Sequence, residues 1–187
     1  MSSQTLDSSR ICIRRGQTED AAGLSLFGAR TFEQTYGSEN RPEDMAAHLS
    51  NAFGVAQQTA ELTDPGWVTL LAELDGELLA FAQVRWKKPP ACVDRENVVE
   101  LHRFYVDRPA HGRGVAQRLM TEVFEAAREL GGHHLWLSVW EKNPRAIAFY
   151  KKEGFADLGP TVFVVGGDRQ TDRVLVADLG IDVGVEA

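Results

Sequence analysis

Residues 98–155 read VVELHRFYVDRPAHGRGVAQRLMTEVFEAARELGGHHLWLSVWEKNPRAIAFYKKEGF, and this stretch decides the fold. Val98 to Val106 is rich in β-branched and aromatic residues, as a strand should be. After Pro109 a glycine-containing turn leads into a helix expected over 114–130. Its core stripe is Val115, Leu119, Val123, Ala126 and Leu130, and Gly131-Gly132 ends it. His134 to Trp140 reads as the next strand. Asn143 followed by Pro144 starts a further helix carrying Ile147, Phe149 and Tyr150, which stops at Gly154. Strand, helix, strand over 98–140 is one βαβ unit, so its crossover should be right-handed and its two strands parallel.

The flanks complete the pattern. Ile11 to Arg15 alternates like a short first strand, and Thr18, Glu19 and Asp20 suit the start of a helix expected over 19–36, with Gly37 as its stop. Pro42 opens a second helical region that runs to Thr63 with a break near Gly54. Trp67 to Leu74 and Glu77 to Trp86 form a hairpin about Asp75-Gly76, and 87–97 is a loop. Thr161 to Val165 and Arg173 to Leu179 read as a closing antiparallel pair. The order β-α-α-β-β-β-α-β-α-β-β gives an α/β protein with a central mixed sheet flanked by helices.

Twenty Lys and Arg against 27 Asp and Glu give a net charge of −7, which argues against general nucleic-acid or anionic-membrane binding. The 187 residues fit one domain, 1–187. No apolar run is long enough to span a membrane, and Met1 to Asp7 lacks the layout of a secretory signal. Cys12 and Cys92, without CxxC spacing, read as free thiols of a cytoplasmic protein. His48, His111, His133 and His134 show no metal-ligand spacing, so no metal is expected.

His111-Gly112-Arg113-Gly114-Val115-Ala116 sits between strand and helix. Gly112 and Gly114 let the backbone bend and approach a ligand, the helix N-terminus offers free N–H groups, and Arg113 adds a charge; together these suit a pyrophosphate. A Walker loop would need GK[ST], which is missing. A dinucleotide fingerprint would need glycine where Gln117 stands. A ligand-free tight turn is the remaining reading of the segment on its own.

The stretch 98–155 resembles the acetyl-CoA-binding core of the GNAT superfamily. That family's loop runs [QR]-x-x-G-x-[GA]; Gly114 and Ala116 match, and His111 departs at the first place. Downstream, Asn143-x-x-Ala146-x-x-Phe149-Tyr150-x-Lys152-x-Gly154-Phe155 resembles the family's second signature almost place by place. The resemblance implies an N-acetyltransferase that uses acetyl-CoA as co-substrate and a primary amine, small-molecule or peptide, as acceptor, with homodimers common in the family. It implies that backbone donors of residues 111–116 hold the pyrophosphate. Phe104, Tyr105 and Val106 would offer main-chain groups to the cofactor and its carbonyl, and Asn143 would touch the pantetheine arm besides capping its helix.

Tyr150 fits the general acid, since a departing thiolate of pKa about 8.5 can take a proton from a phenol of pKa about 10. The acceptor, an ammonium of pKa near about 10.4, must first lose a proton. Glu100 stands where many family members carry a base, and His102, on the same strand face, can share the task. The segment 29–47 resembles PaiA-like polyamine acetyltransferases, which makes a polyamine one acceptor to test. Glu33, Glu39, Glu43 and Asp44 would attract such a cation or simply face solvent. An acetyl-CoA-sensing module without catalysis and a nucleotide-dependent oxidoreductase are the competing classes. Retention of Tyr150 and Glu100 weighs against the first, and the missing sixth glycine against the second.

Overall fold

The computed structural model describes residues 10–165 and 167–180. The elements are β1 (Cys12–Arg15), α1 (Ala21–Tyr36), α2 (Pro42–Phe53), α3 (Val55–Thr63), β2 (Trp67–Leu74), β3 (Glu77–Trp86), β4 (Val98–Val106), α4 (Val115–Glu129), β5 (His134–Trp140), α5 (Pro144–Lys152), β6 (Ala156–Val165) and β7 (Asp168–Asp178). The seven strands form one sheet in the order β1-β2-β3-β4-β5-β7-β6. All neighbours are antiparallel except β4 and β5, which are parallel as the βαβ reading requires.

Alternation sends the two faces of the sheet to two helical layers. Ala80, Ala82 and Val84 of β3 and Val99 and Leu101 of β4 meet the α4 stripe of Val115, Leu119, Val123 and Ala126, with Tyr150 of α5 in the same core. Phe81, on the other face, joins Leu24, Phe27 and Phe32 of α1 and Met45 and Phe53 of α2. Each fully buried Leu or Phe contributes about 1.5–3 kcal/mol, so the α4 stripe anchors the helix whose N-terminus carries the glycine turn.

Several boundaries differ from the sequence reading. A 3-10 turn over Thr18–Asp20 precedes α1, and the capping box joins Gln17 and Asp20 instead of using Thr18: the Gln17 N–H donates to the Asp20 carboxylate at 2.7 Å. The last two strands are longer than expected, because β7 starts at Asp168 and is paired on both sides. The break at Gly54 between α2 and α3 stands as expected. Cys12 and Cys92 are exposed and unbonded. The segment Met1 to Asp7 lies outside the described residues.

Two irregularities in β4 shape the centre of the molecule. The strand pairs with β5 only through Val98, Val99 and Glu100, opposite His134, Leu135 and Trp136; beyond that the two strands diverge. The register with β3 also slips: Leu101 faces Val84 and Arg103 faces Gln83, which leaves His102 as the extra residue of a bulge. The bulge shifts the alternation, so Val99 and Leu101, then Phe104 and Val106, face α4. Arg103 and Tyr105 accordingly face α1–α3 together with Glu100 and His102.

Candidate active site

The divergence of β4 and β5 opens the sheet, and a cavity of about 600 Å³ occupies the gap on the α4 and α5 side. Backbone donors and acceptors of β4 beyond Glu100 have no strand to bond on that flank, so they are available to a ligand. Phe104, Tyr105 and Val106 line the cavity there, as the resemblance implies.

At one end lies the glycine turn. Gly114 is the N-cap of α4 with φ 77°, and Gly112 has φ 73°. The first bond back into the turn is the Arg118 N–H to the Gly114 carbonyl at 3.2 Å, which leaves the N–H groups of Val115, Ala116 and Gln117 as first-turn donors. A Cβ at either glycine would meet nothing within 4 Å, so an open cradle faces these donors. His111, Gly112, Gly114 and Ala116 line the cavity. The Val115 side chain is in the core, and neither Val115 nor Arg113 is part of the lining. The His111 Nε2–H donates to the Val106 carbonyl at 2.8 Å, which ties the turn to the end of β4. Burial pushes that imidazole below its ordinary pKa, with the nearby Arg145 and Arg108 assisting. Those two arginines line the cavity and are the cations at this end; the sequence reading had singled out Arg113 instead.

The turn is braced from α1. Arg30 makes a two-pronged bond to Asp107 at 2.9 and 3.0 Å, and Arg108 donates to the Gln34 carbonyl. The cradle, its arginines and the split sheet fit a coenzyme with a diphosphate and a long polar arm. Replacing Gly114 by Ala places a side chain in the left-handed region at a cost of about 1–3 kcal/mol and points a methyl at the cradle. Calorimetry should show CoA bound roughly tenfold more weakly or worse.

At the other end Tyr150 lines the cavity, 8% exposed, with its ring edge-on to Phe104 and Phe155. Burial, with the neighbouring Tyr36 adding to it, pushes the phenol well above its usual range, so it is protonated at neutral pH. Asn143 caps α5 through its Oδ1, which accepts from the Ala146 N–H at 3.1 Å. It lies beside Tyr36, whose burial raises its pKa to about 12. Phe149 stacks on Phe104 and lines the cavity while packing on the core.

A second cavity of about 460 Å³ lies on the opposite side of the same split. Tyr36, Leu101, His102, Arg103, Tyr105 and Ser138 line both, so the two spaces share one wall. Glu100 belongs to the second cavity and is tied down: Arg85 Nε donates to it at 2.5 Å and Lys87 at 3.5 Å, while His102 Nδ1 lies 3.7 Å away. Burial alone would raise its pKa, but His102 and Arg85 beside it bring it down to about 2, which makes it a weak base. Burial lowers His102 to about 4, so its ring is neutral at pH 7. The carboxylates considered for attracting a cation stand apart from both linings: Glu33, Glu39, Glu43 and Asp44 are absent from them. Among the described residues no cluster of three or more His, Cys, Asp or Glu forms a metal site, and no helix is long and apolar enough to cross a membrane.

Known proteins share this architecture. The sequence pattern of the "Acetyltransferase (GNAT) family" matches residues 30–155. An N-acetyltransferase from the pepI 3' region of Lactobacillus delbrueckii subsp. lactis is 33% identical over 157 residues, which is 84% of this chain and 91% of that one. An N-acetyltransferase of Mycobacterium bovis is 34% identical over 160 residues, 86% of this chain and 98% of the relative. Among solved structures, the PaiA N-acetyltransferase of Thermoplasma acidophilum in complex with coenzyme A superposes with a TM-score of 0.72 at 19% identity, covering 90% of this chain and 98% of that one.

Proposed function

Since this chain belongs to the GNAT acetyltransferase family and is an acetyl-CoA-dependent N-acyltransferase, we propose that it moves the acetyl group directly onto a small primary amine, with Tyr150 as the general acid. The observation that carries this reading is the common wall of the two cavities: donor and acceptor spaces meet at Tyr36, Tyr105 and Ser138, without a covalent relay between them. We read the chain as one catalytic domain, since every described strand belongs to one sheet.

Acetyl-CoA supplies the acetyl group as an activated thioester. The N–H groups of the 112–117 turn, with Arg108 and Arg145, hold its diphosphate. The open flank of β4 at Phe104, Tyr105 and Val106 presents main-chain donors to the acyl end, where negative charge develops. Asn143 fixes the start of α5 and thereby the position of Tyr150, whose hydroxyl protonates the leaving sulfur. Bringing two reactants together in one oriented site supplies much of the remaining acceleration.

Glu100, ion-paired and held near pKa 2, contributes chiefly a fixed negative charge beside His102. The PaiA likeness makes polyamines worth including among acceptors. Calorimetry with CoA, followed by thiol release against a panel of amines that includes spermidine, putrescine and aryl amines, tests the reading. Binding of CoA and thiol release with at least one amine are expected. A panel silent throughout would overturn amine transfer, and absence of CoA binding would overturn the donor site.

A further inference from the structure

Two buried polar atoms have no hydrogen-bond partner among the described residues: Oδ1 of Asp172 and Nε1 of Trp136. Asp172 is 5% exposed and Trp136 3%, and both line the second cavity. Leaving such groups unpaired is costly, and more so for a charge. One is an acceptor and the other a donor, so they call for a ligand that carries both complements.

Their places in the sheet set the geometry. Trp136, Ser138 and Trp140 share one face of β5, and Asp172 on β7 is directly opposite Trp140. Ser138, which is exposed in the split and lines both cavities, stands beside the Asp172 carboxyl and favours its charged form. Asp172 is therefore one side chain from the wall shared with the thioester space. The other carboxylate of this cavity, Glu100, is already engaged by Arg85 and Lys87. Arg103, by contrast, is a cation whose charge is taken by Glu61. Lys87 and Lys88 stand at the rim. The cavity thus has one free carboxylate, a basic rim and aromatic walls that include Phe32, Phe53 and Phe163.

We propose that Asp172 receives the ammonium of the acceptor and takes its proton, that the Trp136 indole N–H reads an oxygen of the same molecule, and that the acceptor is a monoamine with an apolar body and a carbonyl or carboxylate, as in an amino acid derivative. This rests on the amine-transfer reading and names its substrate class. One ammonium finds a partner here; the further charges of a polyamine would meet Lys87, Lys88 and Arg103. The step balances as follows. One N–H proton passes to Asp172, the nitrogen lone pair forms the C–N bond as the C–S bond breaks, and the Tyr150 proton goes to sulfur. A second nitrogen proton replaces it on the phenol through water, and Asp172 releases its proton to solvent.

The groups that face Asp172 set its response to pH. Burial raises its carboxyl to about 6, the Ser138 hydroxyl opposes this, and Glu141 after β5 adds to it. Tyr36 from α1 and Tyr105 from β4 face it as neutral phenols. His48 from α2 is lowered by burial and then by Arg103, and His102 from β4 is neutral. Gln170 and Thr161, on β7 and β6, carry no charge. An acid limb in kcat/KM is therefore expected where this carboxyl becomes protonated.

Asp172→Asn should leave the Kd for CoA unchanged by calorimetry, which also reports folding. It should lower kcat/KM for L-phenylalaninamide by about 100-fold or more and abolish the acid limb. Trp136→Phe keeps an aromatic side chain but removes the N–H, and should erase the preference for L-phenylalaninamide over 2-phenylethylamine, which has no oxygen. Unchanged kinetics and an intact acid limb in Asp172→Asn, or spermidine turned over better than both aralkyl amines, would overturn the proposal while amine transfer stands. CoA binding with no amine turned over would sink the transfer reading itself, and this one with it.

Discussion

Tyr150→Phe should lower kcat by about two to four orders of magnitude while the Kd for CoA stays within a factor of about three, the size of a lost general acid. The variant removes one oxygen from a ring that is otherwise retained. Its contacts with Phe104, Phe149 and Phe155 are ring contacts, at centroid separations of 6.2, 5.5 and 5.6 Å, and phenylalanine repeats them. The phosphate turn lies at the far end of the cavity and does not sense the change. Because burial holds the phenol above its ordinary pKa, its loss should show as a uniform drop across pH 6–9 with no moved limb. Rapid-quench measurement of the acyl-transfer step together with steady-state kcat checks this. A kcat within threefold of the parent would remove Tyr150 from the chemistry.

The largest loss of stability should come from Glu61→Ala, about 3–5 kcal/mol in urea unfolding, as expected when one member of a buried ion pair is deleted. Arg103 Nη1 donates to Glu61 and to Gln83 at 2.5 Å each, and its Nη2 donates to the Ala52 carbonyl at 2.8 Å. Its guanidinium lies 5.0 Å from the Phe53 ring centroid. Glu61, 3% exposed, also accepts from Gln83 Nε2 at 3.0 Å. Without Glu61 a buried guanidinium is left with neutral acceptors only, on the strand that forms the wall of both cavities. Glu61→Gln retains a side-chain oxygen and should cost less. Equal unfolding midpoints for Glu61→Ala and the parent protein would show that the pair contributes nothing.

The stretch 98–154, nearly a third of the chain, was legible in its sequence because its signals are local. A β-branched strand, a glycine turn, an amphipathic helix and an Asn-Pro start follow one another along 98–154, and each holds in the structure. Phosphate-turn residues follow from the same stretch, apart from the cations, where Arg108 and Arg145 replace the anticipated Arg113 in the lining. What the sequence could not supply was non-local. The bulge at His102 appears only once β4 is paired with β3, and it alone brings Arg103 to the same face as Glu100. Asp172 sits in a polar run that reads as a turn, so the last strand was expected to begin at Arg173. The residue acquires meaning only when β7 is seen inserted between β5 and β6. Trp136 was visible as a strand residue, but its unpaired N–H depends on what surrounds it.

The short junction of β4 with β5 has a consequence for how such a protein changes over time. Three residue pairs are the spine of a book whose two covers carry different texts: β4 and the turn into α4 carry the phosphate cradle, while β7 and β6 line part of the second cavity. Rewriting side chains on the second cover leaves the first legible, so a lineage can trade one guest for another without relearning how to hold the coenzyme.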